Sequence, residues 1–315
     1  MKQLRILTWH IHGSYMYYLA HTGHSFYLPV KPHRTDGYGG RGSCTWPANV
    51  IEVPAEEVHT LELDCILFQC RKNYFEDQYE ILSDEQRRLP RIYLEHDPPR
   101  EHPTDTRHPV DDPEVLLVHV THFNNLMWDS GRTPTMVIDH GVVVPRGVRY
   151  TGEMDRGIVV INNLQLRGRR LGADIFEQAR ICVPLDLVGI NATAMGGLGE
   201  VCLEHLPAFE ARYRFFFNPI RYTSLGLAVC EAMMLGMPII GLATTEMVTV
   251  VENDVSGYIH TDLNRLIEAM QYLLRHPEEA IRLGKGARRY AMERFNIARF
   301  TRDWNRAFAL AGCNL

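Results

Sequence analysis

No stretch of this sequence approaches the ~18 consecutive apolar residues that a membrane-spanning helix requires, so none is expected. The apolar part of Lys2–Thr8 is too short for a signal peptide, and secretion is not expected either. Positive charge is not in excess: 33 Lys and Arg against 38 Asp and Glu leave a formal charge of −5, which removes a whole-molecule attraction to nucleic acid. No lysine-rich amphipathic helix marks a peripheral membrane contact. Close metal-type cysteine pairs are missing; the seven cysteines read as reduced thiols in a cytoplasmic setting, with burial the expected reason for Cys65, Cys70, Cys182 and Cys230. The run Met195-Gly-Gly-Leu-Gly-Glu200 lacks the G-x-G-x-x-G register and a ribose carboxylate about 20 residues on, so it makes a weak dinucleotide motif. Repeats and low-complexity segments are absent.

What is present is an α/β pattern. With 315 residues, 45% hydrophobic and 23% charged, two α/β domains with substantial cores are expected. The chain is organised around residues 213–258. Tyr213 to Phe217 reads as a buried strand that breaks at Asn218-Pro219, Leu225 to Leu235 as a helix packed on both sides and ended by Gly236 and Pro238, and Met237 to Gly241 as the next strand. That order is the order of a parallel sheet with right-handed crossovers, in which ligands bind at the carboxyl ends of strands. The loop from Ile220 to Gly226 lies at such an end and leads into a helix N-terminus. Amides at Ser224, Leu225 and Gly226 would face an anion there, a phosphate by preference. Glu231 stands alone in the apolar helix; a buried carboxylate costs several kcal/mol without donors, so a polar group is expected to meet it, such as the hydroxyls of a sugar.

Pro219-Ile-Arg-Tyr-Thr-Ser-Leu-Gly-Leu227, Val229-Cys-Glu-Ala232, Gly236-Met-Pro238 and Val251-Glu-Asn-Asp-Val-Ser-Gly257 resemble, in order, the donor-site signature of the GT-B glycosyltransferases, particularly the retaining family 4 (group 1) enzymes. The resemblance implies a GT-B fold, two Rossmann-like domains facing each other across a cleft. It also implies that Glu231 binds a nucleotide ribose. In the family a first Glu precedes that one and touches the donor sugar; Thr223 stands at its place here. An Arg and a Lys that neutralise the donor diphosphate fall on Asn163 and Leu171, and Arg167, Arg169 and Arg170 stand beside them as substitutes, since a guanidinium fork reaches two phosphate oxygens. Glu246, after Thr244-Thr245, borders the sugar pocket by the same resemblance and would contact a donor hydroxyl.

Earlier in the chain, Leu4 to Thr8 reads as the first strand, and its loop carries His10, His12 and Gly13 before a short helix from Tyr15. His10, His12 and Tyr15 are candidate acceptor contacts, and Gly13 a donor-phosphate contact. Residues 31–49 form a long glycine-rich loop whose Arg41 is a candidate phosphate ligand. The stretch from Tyr74 to Arg88 reads as a helix with a solvated face, and His102, Asp105, His108, Asp111 and Asp112 match no established zinc spacing. By the resemblance, His96 at the end of the strand Arg91 to Leu94 faces the donor sugar, and His140-Gly141 marks the exit from the N-terminal domain and the donor side. The expected domains are 1–148, 149–297 and a helix in 298–315 that crosses back to the first. Together these imply a cytoplasmic transferase moving a sugar from a UDP or GDP donor to an unspecified acceptor, with retention and with no metal or cofactor. Two alternatives stay open at this point: a sugar-nucleotide-binding protein without turnover, and a GT-B-like epimerase or phosphorylase.

Overall fold

A computed structural model describes residues 2–35, 37–42 and 45–314. The chain divides into two units: Met1–Gly141 with Ile297–Leu315, and Val142–Asn296.

In the first unit, seven strands form one parallel sheet: β1 (Arg5–Thr8), β2 (Ser25–Val30), β3 (Val50–Pro54), β4 (Cys65–Phe68), β5 (Arg91–Glu95), β6 (Val115–His119) and β7 (Thr135–Val137). They lie in the order β3-β2-β1-β4-β5-β6-β7. The chain therefore winds outward from β1 to one edge and then from β4 to the other, and the two windings part between β1 and β4. That is where a doubly wound sheet opens a crevice for ligands. β3 has no clear signal in the sequence. It is an edge strand in register with β2, Phe26 opposite Val50, and an edge tolerates the proline at its end. β4 keeps to four residues because a 3-10 turn occupies Ala55–Thr60 and Asp64 turns to accept from the Arg5 backbone and side chain at 2.8 and 3.1 Å. The solvated helix expected from Tyr74 to Arg88 is replaced by a wide turn over Asn73–Asp77, α2 (Gln78–Ile81) and a 3-10 turn over Gln86–Arg88. Buried Asn73 and Asp77 explain the widening: Asn73 Nδ2 donates to Asp77 at 2.8 Å, and Lys72 pairs with the same carboxylate. The helices α1 (Gly13–Leu19), α3 (His122–Met127) and, from the end of the chain, α11 (Ile297–Leu310) complete the unit. α11 is held by buried Phe300, Trp304 and Phe308, and Trp304 Nε1 donates to the Tyr15 hydroxyl at 3.0 Å.

The second unit carries a five-stranded parallel sheet, β8 (Met154–Val160), β9 (Leu185–Val188), β10 (Tyr213–Asn218), β11 (Ile239–Leu242) and β12 (Gly257–His260), in the order β12-β11-β10-β8-β9. Its winding reverses between β8 and β10. Every residue of β10 is buried, as its aromatic run requires of a central strand covered on both faces. The helices are α4 (Leu164–Leu171), α5 (Ala173–Cys182), α6 (Leu206–Glu210), α7 (Leu227–Leu235), α8 (Met247–Val250), α9 (Leu263–Arg275) and α10 (Pro277–Arg294). Asp262 caps α9, accepting from the Asn264 amide at 2.9 Å, and Pro277 with Glu278 and Glu279 opens α10. Cys65 and Cys230 are buried as expected; Cys182 is exposed and Cys70 half-buried, so burial does not account for those two. Among the described residues no helix is long and apolar enough to cross a membrane, and no group of three His, Cys, Asp or Glu could hold a metal.

Candidate functional site

The first unit gathers histidines at the carboxyl end of its sheet. The loop after β1 brings His12 to His96, which follows β5, with ring centroids 3.9 Å apart and planes tilted by 41°. Tyr15 sets its ring edge-on to both His96 and His140, at 5.0 and 5.8 Å. Gln69, after β4, fixes the chemistry of His96. Its amide nitrogen donates to the Trp9 carbonyl at 2.8 Å and to the Thr8 hydroxyl at 2.9 Å, so its oxygen is the group facing His96 Nε2 at 3.2 Å. An amide oxygen only accepts; His96 therefore carries its proton on Nε2 and leaves Nδ1 as a lone-pair acceptor. Loss of water, and then the neighbouring His12 and His140 rings, hold this imidazole well below its ordinary pKa. His96 is a neutral acceptor in the folded protein.

The other residues expected here serve the fold. Tyr15 is 1% exposed and its hydroxyl accepts from Trp304, which makes it a core strut instead of an acceptor contact. His10 donates from Nδ1 to the Gly40 carbonyl and lies edge-on to Trp46, so it fastens the loop of residues 31–49, in which Asp36, Ser43 and Cys44 lie outside the described residues. Gly13 opens α1, and a Cβ there would come within 2.8 Å of His10 Nε2. His140 is buried, and its carbonyl accepts from Arg299. In the loop after β5, His108 donates to Glu95 at 3.1 Å, and Asp111 accepts from Arg107 at 2.7 Å and Arg132 at 2.9 Å.

The second unit builds its counterpart from the loops that follow β8 and β10, the two strands at its winding reversal. The residues after β8 form α4 with a break at Gly168 (φ 57°, ψ −141°). That break separates Arg167 from Arg169 and Arg170. Asp174 then welds the two loops together. It accepts from both terminal nitrogens of Arg221, at 2.6 and 2.8 Å, and from Arg169 at 2.5 Å. The Arg221 and Tyr222 amides both donate to the Arg170 carbonyl, at 3.1 and 3.2 Å. Gly172 permits the contact: its φ is +82°, and a Cβ there would stand 2.0 Å from the Pro219 carbonyl oxygen. The Arg221 bond, and then its charge, hold the Asp174 carboxyl below its ordinary range. Two guanidiniums on one carboxylate leave a net positive charge beside the loop of residues 220–226.

That loop ends in α7, which starts at Leu227, two residues later than the sequence implies, with Gly226 as its extended N-cap. The Ser224 and Gly226 amides donate to no other described residue, and a Cβ on Gly226 would meet nothing within 4 Å, so open space lies before the helix N-terminus. Glu231 is half-buried on α7. Glu210, at the end of α6, is buried, and neither of its oxygens has a hydrogen-bond partner among the described residues. Burial first, and the nearby Glu231 second, push its carboxyl well above the usual range, which favours the protonated acid.

Comparison with known proteins agrees with this architecture. Residues 187–276 match the family model of the glycosyl transferases group 1. Sucrose-phosphate synthase from Thermosynechococcus elongatus superposes with a TM-score of 0.67 at 14% identity, covering 98% of this chain and 99% of that one. Anabaena HepE, solved with UDP, gives a TM-score of 0.67 at 13% identity over 98% of this chain and all of that one, 100%. The fold is GT-B. A trehalose synthase of Pyrococcus horikoshii is 34% identical over 74 residues, 24% of this chain and 18% of that protein, so the sequence likeness spans less than a fifth of the relative.

Within this GT-B chain three further residues can be placed against the family pattern. Glu246 is 2% exposed, and its Oε1 accepts from Arg294 at 2.7 Å and from Thr249 at 2.7 Å, so the carboxylate fastens α8 to α10. Leu171 is buried in the core and Asn163 is the left-handed cap of α4, accepting from Asn191 Nδ2 at 2.5 Å. Arg221 and Glu210 are the residues that sequence reasoning missed. Arg221 sits inside the recognised motif, but nothing in the linear order shows that its partner is Asp174.

Proposed function

We propose that this chain is a glycosyltransferase that moves a sugar from a nucleoside-diphosphate sugar, UDP or GDP, to an acceptor, with retention of configuration. One observation carries the reading: within the segment that matches the group 1 family model, the Ser224 and Gly226 amides before α7 and the carboxylate of Glu231 on that helix offer an anion site and a hydroxyl site five to seven residues apart in sequence. The amides and the α7 dipole take the diphosphate, with Arg221 and the Arg167 to Arg170 group supplying cations. Glu231 accepts from the ribose hydroxyls. Thr223 lies beside the transferred sugar, and in the first unit His96 offers a neutral Nδ1 acceptor to a sugar hydroxyl. HepE, a structural neighbour, was solved with UDP and with UDP-glucose, which favours UDP as the first donor to try.

Leaving-group charge in this reading is met by fixed amides and guanidiniums. Transfer from a labelled UDP- or GDP-sugar is therefore expected to persist in excess EDTA. Arg221→Ala removes a charge-assisted contact of about 1.5–3 kcal/mol and is expected to weaken donor binding by about 10-fold or more in calorimetric titration. A protein that binds none of UDP, GDP and ADP or their sugars overturns this reading. Donor binding with no turnover across a broad acceptor panel would favour a sugar-nucleotide-binding protein instead, a reading that the substitutions at Thr223, Asn163 and Leu171 support.

A further inference from the structure

We propose that the pocket framed by Arg34, Gly39, Arg41, Gly42 and Glu52 in the first unit is an anion subsite that seats the phosphate or carboxylate of a charged, sugar-sized acceptor. The proposal rests on the transferase reading only in naming that ligand an acceptor. The cavity holds about 520 Å³, within the range of small-molecule sites. Two guanidiniums and one carboxylate surround it, which leaves one positive charge.

Glu52 is the strut of this pocket. Its Oε1 accepts from the Arg41 amide at 2.6 Å and from Arg34 Nη1 at 3.1 Å, and the same Nη1 donates to the Gly39 carbonyl at 2.7 Å. Those bonds spend Oε1 on the loop itself. The Arg41 side chain, by contrast, reaches the described residues only through Nη2, at 3.5 Å from the Trp46 carbonyl; its Nε and Nη1 donate to none of them. A guanidinium fork matches a carboxylate or phosphate edge with two parallel bonds, and this one is open.

The glycines give a second, independent sign. Gly40 is demanded by the fold, since its φ is +62° and a Cβ would come within 2.1 Å of Glu52 Oε1. Gly39 is not. Its φ is not positive, and a Cβ there would meet nothing within 4 Å. Neither backbone geometry nor packing asks for glycine at residue 39; what its missing side chain leaves is room in the pocket. The loop is also fixed in place. His10 binds the Gly40 carbonyl, and Trp46 Nε1 donates to the Arg41 carbonyl at 2.5 Å, with the His10 and Trp46 rings 5.3 Å apart. The subsite is thereby tied to the loop after β1, the loop that also carries His12.

The test titrates the intact chain with glucose, glucose 6-phosphate and glucuronate, and with UDP in a separate cell. A charged sugar is expected to bind about 10-fold tighter than glucose or better. Arg41→Gln is expected to remove that preference. Gly39→Val, which fills the pocket without altering a charge, is expected to remove it too while keeping the thermal midpoint of the wild type. Equal binding of all three sugars, no binding of either charged one, or a preference that survives both substitutions overturns the subsite. UDP reports on the transferase reading alone: its failure to bind sinks that reading and leaves the subsite to stand or fall on the three sugars.

Discussion

Glu231→Ala is expected to weaken UDP or UDP-sugar binding by about 100-fold while barely moving the stability of the unliganded protein. The size follows from the chemistry. A carboxylate that accepts from two ribose hydroxyls makes two charge-assisted bonds of about 1.5–3 kcal/mol each, and about 2.7 kcal/mol already corresponds to 100-fold. The small stability effect follows from placement: Glu231 is half-buried, and its substitution opens no cavity in the core around β10. In a thermal-shift series, UDP at about 100 times its Kd adds about 2.7 kcal/mol to the wild type, and at the same concentration the variant is expected to show almost no shift. Glu210→Gln provides the contrast. It replaces a neutral acid by a neutral amide of the same shape, so donor affinity is expected to stay within about 3-fold of wild type, a difference of less than 1 kcal/mol. A full shift in Glu231→Ala would remove this residue from the nucleotide site.

How far the sequence reveals these features depends on whether a signal is local. The aromatic run of β10 and the apolar α7 with Gly236 behind it are written in consecutive residues, and the structure places them within a residue or two. Glu231 is visible for the same reason, as a single carboxylate among apolar neighbours. Edge strand β3 is not, because Val50–Pro54 mixes Glu and Pro with its apolar residues and is defined by its pairing to β2. Side-chain partnerships across sequence are also hidden. Asp174 and Arg221 are 47 residues apart, Glu246 and Arg294 are 48 apart, and Tyr15 and Trp304 are 289 apart. Those three pairs decide which expected site residues face a ligand and which hold the fold. Asn163 and Leu171, where the family pattern has cations, are a helix cap and a core residue, and the positive charge on that side comes from Arg169 and Arg221 instead.

The largest effect on stability is expected from acid, with His119 as its main source. His119 ends β6, is fully buried, and neither ring nitrogen has a hydrogen-bond partner among the described residues. Burial, and then the neighbouring His108, lower its pKa to about 3. The sign follows from linkage. A histidine with a folded pKa below the unfolded value of about 6.5 is neutral in the native state, while the unfolded chain takes up its proton as pH falls past 6.5. Stability is fully present above that value and declines toward pH 3 by about 1.4 kcal/mol per pH unit from this group alone. His96, also depressed, adds to the same acid limb. His119→Leu separates the contributions, since leucine has no proton to gain and leaves no orphaned nitrogen. Urea unfolding at pH 7.5 is expected to show a variant as stable as the wild type or more stable by about 1–3 kcal/mol, the cost of an unsatisfied buried polar group. Between pH 6 and pH 4 its stability is expected to fall more gently, by about 1.4 kcal/mol less per pH unit. Parallel acid limbs in the two proteins would show that His119 is not held neutral by the fold, and a loss of more than about 2 kcal/mol at pH 7.5 would mean that its ring makes a bond the apolar replacement cannot.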